Sequence, residues 1–254
     1  MKPSVRLATA KIPGGGEMEL YQHDRDFTIK INGQDLMSSR QHESELELAR
    51  LGCAHLVGSK APRVLIGGMG LGYTLRQVLD MLDPHAKVVV GELLSAVAEW
   101  SREFFGELNG QPLEDERVNL KTGDVVSLIS RSSGKFDAIL LDIDNGPSAM
   151  TNSANSRLYS YEGLMACRYA LRNQGCLAVW SAEPSKKFER LLVGGCGFHV
   201  RRFRVPTYKG SKSQSHFVWV ASENKTNLPP GGGEPRLSRG DESKQGRRRP
   251  REGY

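Results

Sequence analysis

The stretch RVLIGGMGLGYTLRQVLDML, residues 63–82, runs from a short apolar segment through a cluster of glycines into a helical pattern. A glycine-rich turn between a strand and a helix lets the backbone approach a ligand closely and directs free N–H groups at it. Gly68, Gly70 and Gly72 follow GxGxG spacing rather than GxGxxG, which favours an S-adenosylmethionine-type site over a nicotinamide site. The alternative is that these glycines serve only tight packing of the strand against the helix.

The same alternation of strand and helix continues downstream. Apolar runs that precede helical stretches occupy residues 87–92, 117–124, 136–142 and 176–181. This pattern indicates parallel βαβ units. Residues 198–205 and 213–222 form two further predicted strands, too close together to enclose a helix, so we expect an antiparallel hairpin. We therefore predict an α/β, Rossmann-like class I S-adenosylmethionine-dependent methyltransferase fold, with a mostly parallel seven-stranded sheet and an antiparallel edge hairpin.

The flanking regions differ in composition from this core. Residues 1–40 contain short β segments and predict a small N-terminal β-hairpin region, and residues 41–222 form the Rossmann-like catalytic domain, with 41–61 as its linking helix. Residues 223–254 are rich in Gly, Pro and charge and predict a disordered basic tail. The tail has eight Lys and Arg against five Asp and Glu, a net of +3 out of +6 for the chain. It could contact RNA or an acidic partner, but we favour a solvated tail without a dedicated partner, so nucleic acid is not an expected ligand.

Composition excludes several other classes of protein. No apolar run approaches the roughly 18 residues of a transmembrane helix, and the N-terminal residues do not resemble a secretory signal. The four cysteines, Cys53, Cys167, Cys176 and Cys196, have no CxxC spacing and no histidine at metal-ligand spacing. We expect buried free thiols in a cytoplasmic protein, with no metal site and no membrane partner.

Three acids mark successive predicted strand ends. Glu92 ends the second strand, Asp124 follows the third and Asp142 follows the fourth. Ligands of open α/β sheets bind beyond the carboxyl ends of the strands. Each acid alone could cap a helix or face solvent, but three of them beside a glycine loop predict one shared site. There, one carboxylate could accept hydrogen bonds from ribose hydroxyls and another from an adenine amino group.

Several motifs resemble those of the spermidine synthase family. VLIGGMGLGYTLRQVL, residues 64–79, is similar to its GGGDGG loop followed by T-L-R-E, and FDAILLDIDNGP, residues 136–147, is similar to FDVIIxDxxDPxGP. RLYSYEGLMACRYALRNQGCLAVW, residues 157–180, resembles the next helix and strand. RQHESELE, residues 40–47, resembles the Y-H-E motif. The resemblance covers roughly residues 17–221 and indicates a divergent spermidine synthase-like branch.

The resemblance implies roles for particular residues. Glu92 would hold the ribose, and Asp124 with the neighbouring Val125 would hold the adenine of a nucleoside donor. Asp142 would deprotonate an incoming amine, because an ammonium is no nucleophile until a base takes its proton. The remaining candidates, all for the catalytic or amine-binding part of the site, are Asp144, His42, Glu43, Asn145 and Tyr159.

Other residues depart from the family's motifs. Leu71 replaces the Asp of the glycine loop, Tyr73 replaces its last Gly, and Gln41 replaces the Tyr of Y-H-E. Three residues after Asp142 the family has a second acid, but this chain has Asn145, so Asp144 would have to take its place. The replaced residues are those expected to hold the aminopropyl ammonium and the diamine.

Three functions remain open on these residues. We favour aminopropyl transfer from decarboxylated S-adenosylmethionine to a small amine, as in polyamine biosynthesis, with Asp142 as general base and Asp144 helping to bind the cation. The neutral Leu71 favours the alternative of a methyltransferase that uses S-adenosylmethionine itself. A non-catalytic nucleoside-binding homologue is the third. Related enzymes are commonly dimers or tetramers, so a homodimer is one arrangement we consider.

Two aromatic side chains have less definite assignments. Trp180 ends the fifth predicted strand and could line the acceptor site, but core packing is the interpretation that we favour. His216 falls on the edge hairpin, where the sequence predicts no partner for it.

Overall fold

The computed structural model describes residues 3–13, 15–143, 146–148, 157–211 and 215–235. The strands that these residues form are β1 (Val5–Lys11), β2 (Glu17–His23), β3 (Asp26–Ile31), β4 (Gln34–Ser38), β5 (Arg63–Gly67), β6 (Lys87–Glu92), β7 (Val118–Thr122), β8 (Phe136–Leu141), β9 (Leu171–Ser181), β10 (His199–Pro206) and β11 (Ser215–Ser222). Their α-helices are α1 (Glu43–Gly52), α2 (Tyr73–Met81), α3 (Ser95–Trp100), α4 (Val125–Ser130), α5 (Tyr161–Ala170) and α6 (Lys186–Arg190). Short 3₁₀ or π turns occupy Ala54–Leu56, Ser101–Phe105, Gly106–Asn109, Pro112–Glu114, Gly146–Ser148, Leu191–Gly195 and Lys225–Asn227.

The first sheet consists of β1 to β4, which pair antiparallel in chain order. Asn32 and Gly33 connect β3 to β4 with φ of 49° and 78°, the conformation that an Asn-Gly pair favours in a two-residue turn. Leu20 and Ile29 on one face of this sheet are fully buried and belong to the same core cluster as residues of the second sheet. The first sheet therefore packs against the larger one, and helix α1 connects the two.

The second sheet has the strand order β10-β11-β9-β8-β5-β6-β7 among the described residues. Strands β5 to β9 pair in parallel, whereas β11 is antiparallel to both β9 and β10. The order reverses between β5 and β8, which is where α/β sheets of this kind bind their ligands. This topology confirms the predicted class I methyltransferase-like fold with its antiparallel edge hairpin.

Helices cover both faces of the second sheet. Along β5, Val64 and Ile66 belong to the core cluster shared with α1 and α2, whereas Leu65 belongs to the cluster shared with α4 and α5. Successive side chains of a strand point to opposite faces, so both sets must be apolar when both faces are buried. The unbroken apolar runs seen in the sequence follow from this two-sided burial.

The chain continues along the edge of the sheet after β11. The backbones of Arg202 and Gly233 exchange two hydrogen bonds, of 2.9 and 2.8 Å, and the Arg201 guanidinium donates to the carbonyl of Gly231 at 2.8 Å. The prediction of a disordered tail is therefore wrong for residues 223–235, and residues 236–254 lie outside those that the structure describes. The physical reason is that β10 is an edge strand whose free N–H and C=O groups this segment satisfies.

The cysteines are buried and free, as predicted. Burial raises the pKa of Cys167 and of Cys176 to about 12, so these thiols stay protonated at neutral pH. Within the described residues, no helix combines the length and the apolar character that crossing a membrane requires.

Candidate active site

A cavity of about 290 Å³ opens at the carboxyl ends of the parallel strands. Its floor is formed by the turns after β5, β6, β7 and β8, and the first sheet contributes the facing wall. That wall is largely apolar and consists of Met18, Ile31, Leu36 and Met37. The cavity therefore has one polar side, where the strands end, and one apolar side.

The glycine turn after β5 lines this cavity and packs closely against the end of β8. Gly68, Gly70 and Gly72 have φ of 88°, 51° and 87°, a region that favours glycine. A Cβ atom on Gly68 would lie 2.1 Å from the carbonyl oxygen of Asp142. The amide of Asp142 in turn donates to the carbonyl of Gly67 at 2.8 Å. Close packing against the end of β8 therefore requires the glycine at 68, and the same packing sets Asp142 beside the turn.

Glu92 lies on the cavity floor with its carboxylate fixed by the backbone. One oxygen accepts from the amide of Met69 at 2.9 Å, and the other accepts from the amide of Leu94 at 2.8 Å. A carboxylate is an acceptor-only group with about four lone-pair positions, which is the chemical complement of a diol such as that of a ribose.

Asp124 both caps a helix and lines the cavity. Its carboxylate accepts from the amide of Val126 at 2.9 Å and from the hydroxyl of Ser127 at 3.0 Å, which makes it the N-cap of α4. Asp124 and Val125 both face the cavity. Asp124 can therefore cap α4 and still contact a ligand in the cavity.

Replacing Glu92 by Gln should weaken nucleoside binding. The amide has one acceptor oxygen instead of two, and its NH₂ group would face a backbone N–H. We expect the Kd for methylthioadenosine, measured by calorimetry, to rise about 10- to 100-fold. The matched control is Glu99→Gln on the exposed face of α3. Equal affinity in the two variants would show that Glu92 only supports the turn.

Asp142 follows β8 and lies at the centre of the polar side. Its Oδ2 accepts a hydrogen bond of 2.8 Å from the hydroxyl of Thr74, at the start of α2. Burial raises the pKa of Asp142, and the Thr74 hydrogen bond opposes this rise in part. A carboxylate with a raised pKa in a cavity has the properties of a general base.

Glu45, rather than the predicted Glu43, reaches the cavity from α1. Two positions along a helix differ by about 200° around its axis, so these two side chains lie on opposite faces. Glu43 does not line the cavity but forms an ion pair with Arg50 at 3.4 Å. Burial, followed by the charge of Asp142, raises the pKa of Glu45, and both residues line the cavity.

His42, predicted to contact the substrate, lies behind the cavity wall. Its ring stacks on the ring of Tyr73 with 4.0 Å between centroids and 10° between planes, and its Nδ1 lies 2.7 Å from the carbonyl oxygen of Ser39. Tyr73 lines the cavity and His42 does not. His42 therefore supports Tyr73 from outside the cavity lining.

Tyr159 is also one step removed from the cavity. It is buried, and its hydroxyl donates to the carbonyl of Ile143 at 3.2 Å. Ile143 lines the cavity, whereas Tyr159 does not. Tyr159 thus supports the chain just after Asp142. Asp144 and Asn145, the other predicted residues of this loop, lie outside the described residues, so their roles stay predictions.

Trp180 and His216 line the cavity, at the end of β9 and the start of β11. Trp180 also belongs to the buried core, as the sequence favoured, whereas the sequence predicted no partner for His216. The two rings meet edge to face at 4.6 Å. The Nδ1 atom of His216 lies 3.0 Å from the hydroxyl of Ser44 on α1. Ser44 and His216 are 172 positions apart, so no local sequence signal could have joined them.

Known proteins resemble this chain in both sequence and fold. A family model described as "Spermine/spermidine synthase domain" matches residues 51–191. The polyamine aminopropyltransferase of Saccharolobus solfataricus is 32% identical over 132 residues, which is 52% of this chain and 42% of that protein. That of Pseudomonas syringae pv. tomato is 27% identical over 177 residues, or 66% of this chain and 58% of that protein. The chain thus aligns with less than two thirds of the length of these relatives.

Solved structures extend the similarity of fold. Spermidine synthase from Thermotoga maritima superposes with a TM-score of 0.67 at 18% identity, covering 89% of this chain and 76% of that one. A spermidine synthase in complex with the transition-state analogue AdoDATO superposes with a TM-score of 0.67 at 19% identity and the same coverage. At this identity the superpositions support the fold rather than a particular substrate.

Proposed function

Because the chain belongs to the spermine/spermidine synthase family, we propose that it transfers an aminopropyl group from decarboxylated S-adenosylmethionine to a small amine. One observation carries this proposal: a single cavity joins the glycine turn, Glu92 and Asp124 to Asp142. The first three features suit a nucleoside, and the fourth is a carboxylate with a raised pKa. The names of the related polyamine aminopropyltransferases support the same reaction class.

The nucleoside part of the donor would bind over β5, β6 and β7. Glu92 would accept hydrogen bonds from the ribose hydroxyls, Asp124 would accept one from the adenine amino group, and Val125 would pack against the base. The glycine turn leaves room for the donor beside the end of β8. This arrangement would place the carbon to be transferred near Asp142, where strand order reverses.

Asp142 would remove a proton from the acceptor ammonium. The freed nitrogen lone pair forms the new N–C bond at the carbon beside the sulfonium, and the C–S bond breaks with its electron pair going to sulfur. The sulfonium becomes a neutral thioether, and the proton lost by the amine resides on Asp142 before it passes to solvent. Positioning plus general-base catalysis accounts for the reaction without a metal-dependent step.

We further propose that the donor is decarboxylated S-adenosylmethionine rather than S-adenosylmethionine itself. This proposal is supported by the structural relative that binds the transition-state analogue AdoDATO. It is also supported by the two acids in the cavity, because a cationic ligand would lower the raised pKa of Asp142 and Glu45 and favour their charged forms, whereas an added carboxylate would raise it further. The test is incubation of the full chain with decarboxylated S-adenosylmethionine and 1,4-diaminobutane, followed by mass spectrometry of the products. Methylthioadenosine together with an aminopropylated amine is the expected result. A methylated amine formed from S-adenosylmethionine instead would refute the proposal.

The pH dependence of turnover should reflect the buried acids. Burial raises the pKa of Asp142 and of Glu45, so the base gains a proton, and kcat falls, at a higher pH than for an ordinary carboxyl group. Burial lowers the pKa of His216 and raises that of Tyr73 to about 12, so both are neutral near pH 7. The measurement is kcat against pH at saturating amine. An acidic limb near pH 4, the ordinary carboxyl range, would contradict this assignment.

A further inference from the structure

A second acid, Glu45, lines the cavity in addition to the strand-end acids. The family motif supplies its second acid from the loop after β8, but in this chain Glu45 reaches the cavity from α1. The hydroxyl of Thr74 lies 2.8 Å from the carboxylate oxygen Oδ2 of Asp142 and 3.4 Å from the backbone carbonyl oxygen of Glu45. Thr74, at the start of α2, therefore contacts both the backbone of α1 at Glu45 and the carboxyl group of Asp142, and both acids line the same cavity.

The topology assigns Glu45 to the acceptor half of the cavity. In the sheet order, β6 and β7 lie on one side of β5, and they carry Glu92 and Asp124. Strands β9 and β11 lie on the other side of β8, and they carry Trp180 and His216. Glu45 is connected to this second side through Ser44, so it lies away from the acids that suit the nucleoside.

Neighbouring side chains fix the orientation of Glu45. The hydroxyl of Ser44 donates to its Oε2 at 2.8 Å, and Nδ1 of His216 lies 3.0 Å from the same hydroxyl. Ser44 is fully buried, and a hydroxyl can donate one hydrogen bond while it accepts another. A Glu45 carboxylate that is held in place needs little reorganisation to meet a cation.

Trp180 gives an independent sign of a ligand in this half of the cavity. The residue is 8% exposed, and its buried indole N–H has no acceptor among the described residues. Such an unsatisfied donor is costly, so a ligand or water atom is the expected partner. The face of an indole ring also attracts cations. An aromatic ring beside two carboxyl groups suits an alkyl ammonium.

We propose that Glu45 supplies the second acid of the acceptor site and binds the ammonium group of the amine together with Asp142. This inference rests on the proposed transfer to an amine. Ser44 and His216 act as positioning residues that hold the Glu45 carboxylate toward the cavity. Glu45 would thereby provide, from a different element of the fold, the second acid that the family motif places three residues after Asp142, where this chain has Asn145.

The test is calorimetry of 1,4-diaminobutane binding to the full chain saturated with methylthioadenosine. In Glu45→Gln the Kd for the diamine should rise about 10- to 100-fold, while the Kd for methylthioadenosine stays within twofold. The control is Glu47→Gln on the same helix, whose side chain pairs with Arg50 outside the cavity. Ser44→Ala should give a smaller increase, and 1-butanol, which has no ammonium, should not bind.

Because binding is measured without turnover, the inference and the proposed function can fail separately. An active aminopropyltransferase whose Glu45→Gln variant binds the diamine as the wild type does would overturn only the role of Glu45. Glu45-dependent diamine binding by a chain without transferase activity would overturn only the proposed reaction. Loss of methylthioadenosine binding in Glu45→Gln, in parallel with the diamine and with an unchanged Tm, would place Glu45 in the donor half and refute the assignment.

Discussion

Asp142→Asn is expected to lower kcat for aminopropyl transfer by about 10³-fold, within the range of general-base contributions. The amide cannot take a proton from the acceptor ammonium, although its oxygen can still accept the hydrogen bond from Thr74. The nucleoside contacts of Glu92 and Asp124 do not involve this side chain, so affinity for methylthioadenosine should be unchanged. Steady-state kinetics and calorimetry on the same preparation would separate the two effects.

The stability of this variant provides its internal control. Burial raises the pKa of Asp142, so the folded protein keeps this proton to a higher pH than the unfolded chain does. Ionising Asp142 therefore costs stability as the pH rises from the ordinary carboxyl range through the raised pKa. Asn cannot ionise, so Tm at neutral pH should not fall. Asp80→Asn, a partly exposed acid on α2 that pairs with Arg76, is the matched control for activity. Retained turnover in Asp142→Asn would make Asp142 a structural residue.

Gly68→Ala should have the largest effect on folding. Its φ of 88° costs a side chain about 1–2 kcal/mol, and the Cβ atom would lie 2.1 Å from the carbonyl oxygen of Asp142. Overlap with the backbone cannot be relieved by a rotamer change and should cost about 2–3 kcal/mol more. We expect the free energy of unfolding, measured in urea, to fall by about 4 kcal/mol. Binding of methylthioadenosine should weaken as well, because the turn and Asp142 must move apart.

Gly58→Ala separates the two causes. Gly58 has a similar φ of 82°, but a Cβ atom there would meet nothing within 4 Å. This variant should therefore lose only the roughly 1–2 kcal/mol of backbone strain and should bind methylthioadenosine normally. If the two variants lost equal stability, close packing against β8 would not be the reason for glycine at position 68.

Much of the fold could be predicted because its signals are local. The alternation of apolar runs and helical stretches indicated the parallel strands, and the short spacing of the last two indicated the hairpin. Boundaries were less accurate: the strand predicted at 176–181 begins at Leu171. Its pairing with β8 shifts register between Phe136 and Ala138, an irregularity that depends on the partner strand and leaves no local pattern.

The sequence by itself determined the parallel sheet, the glycine turn and the line of acids at Glu92, Asp124 and Asp142. Parallel strands all end at one edge of the sheet, so residues at successive strand ends must come together whatever packs above them. Only the tertiary structure decided which side of α1 faces the cavity, and hence that Glu45 enters it while Glu43 does not. Helical periodicity separates these two side chains, but docking of the helix on the distant strand that carries His216 selects between them.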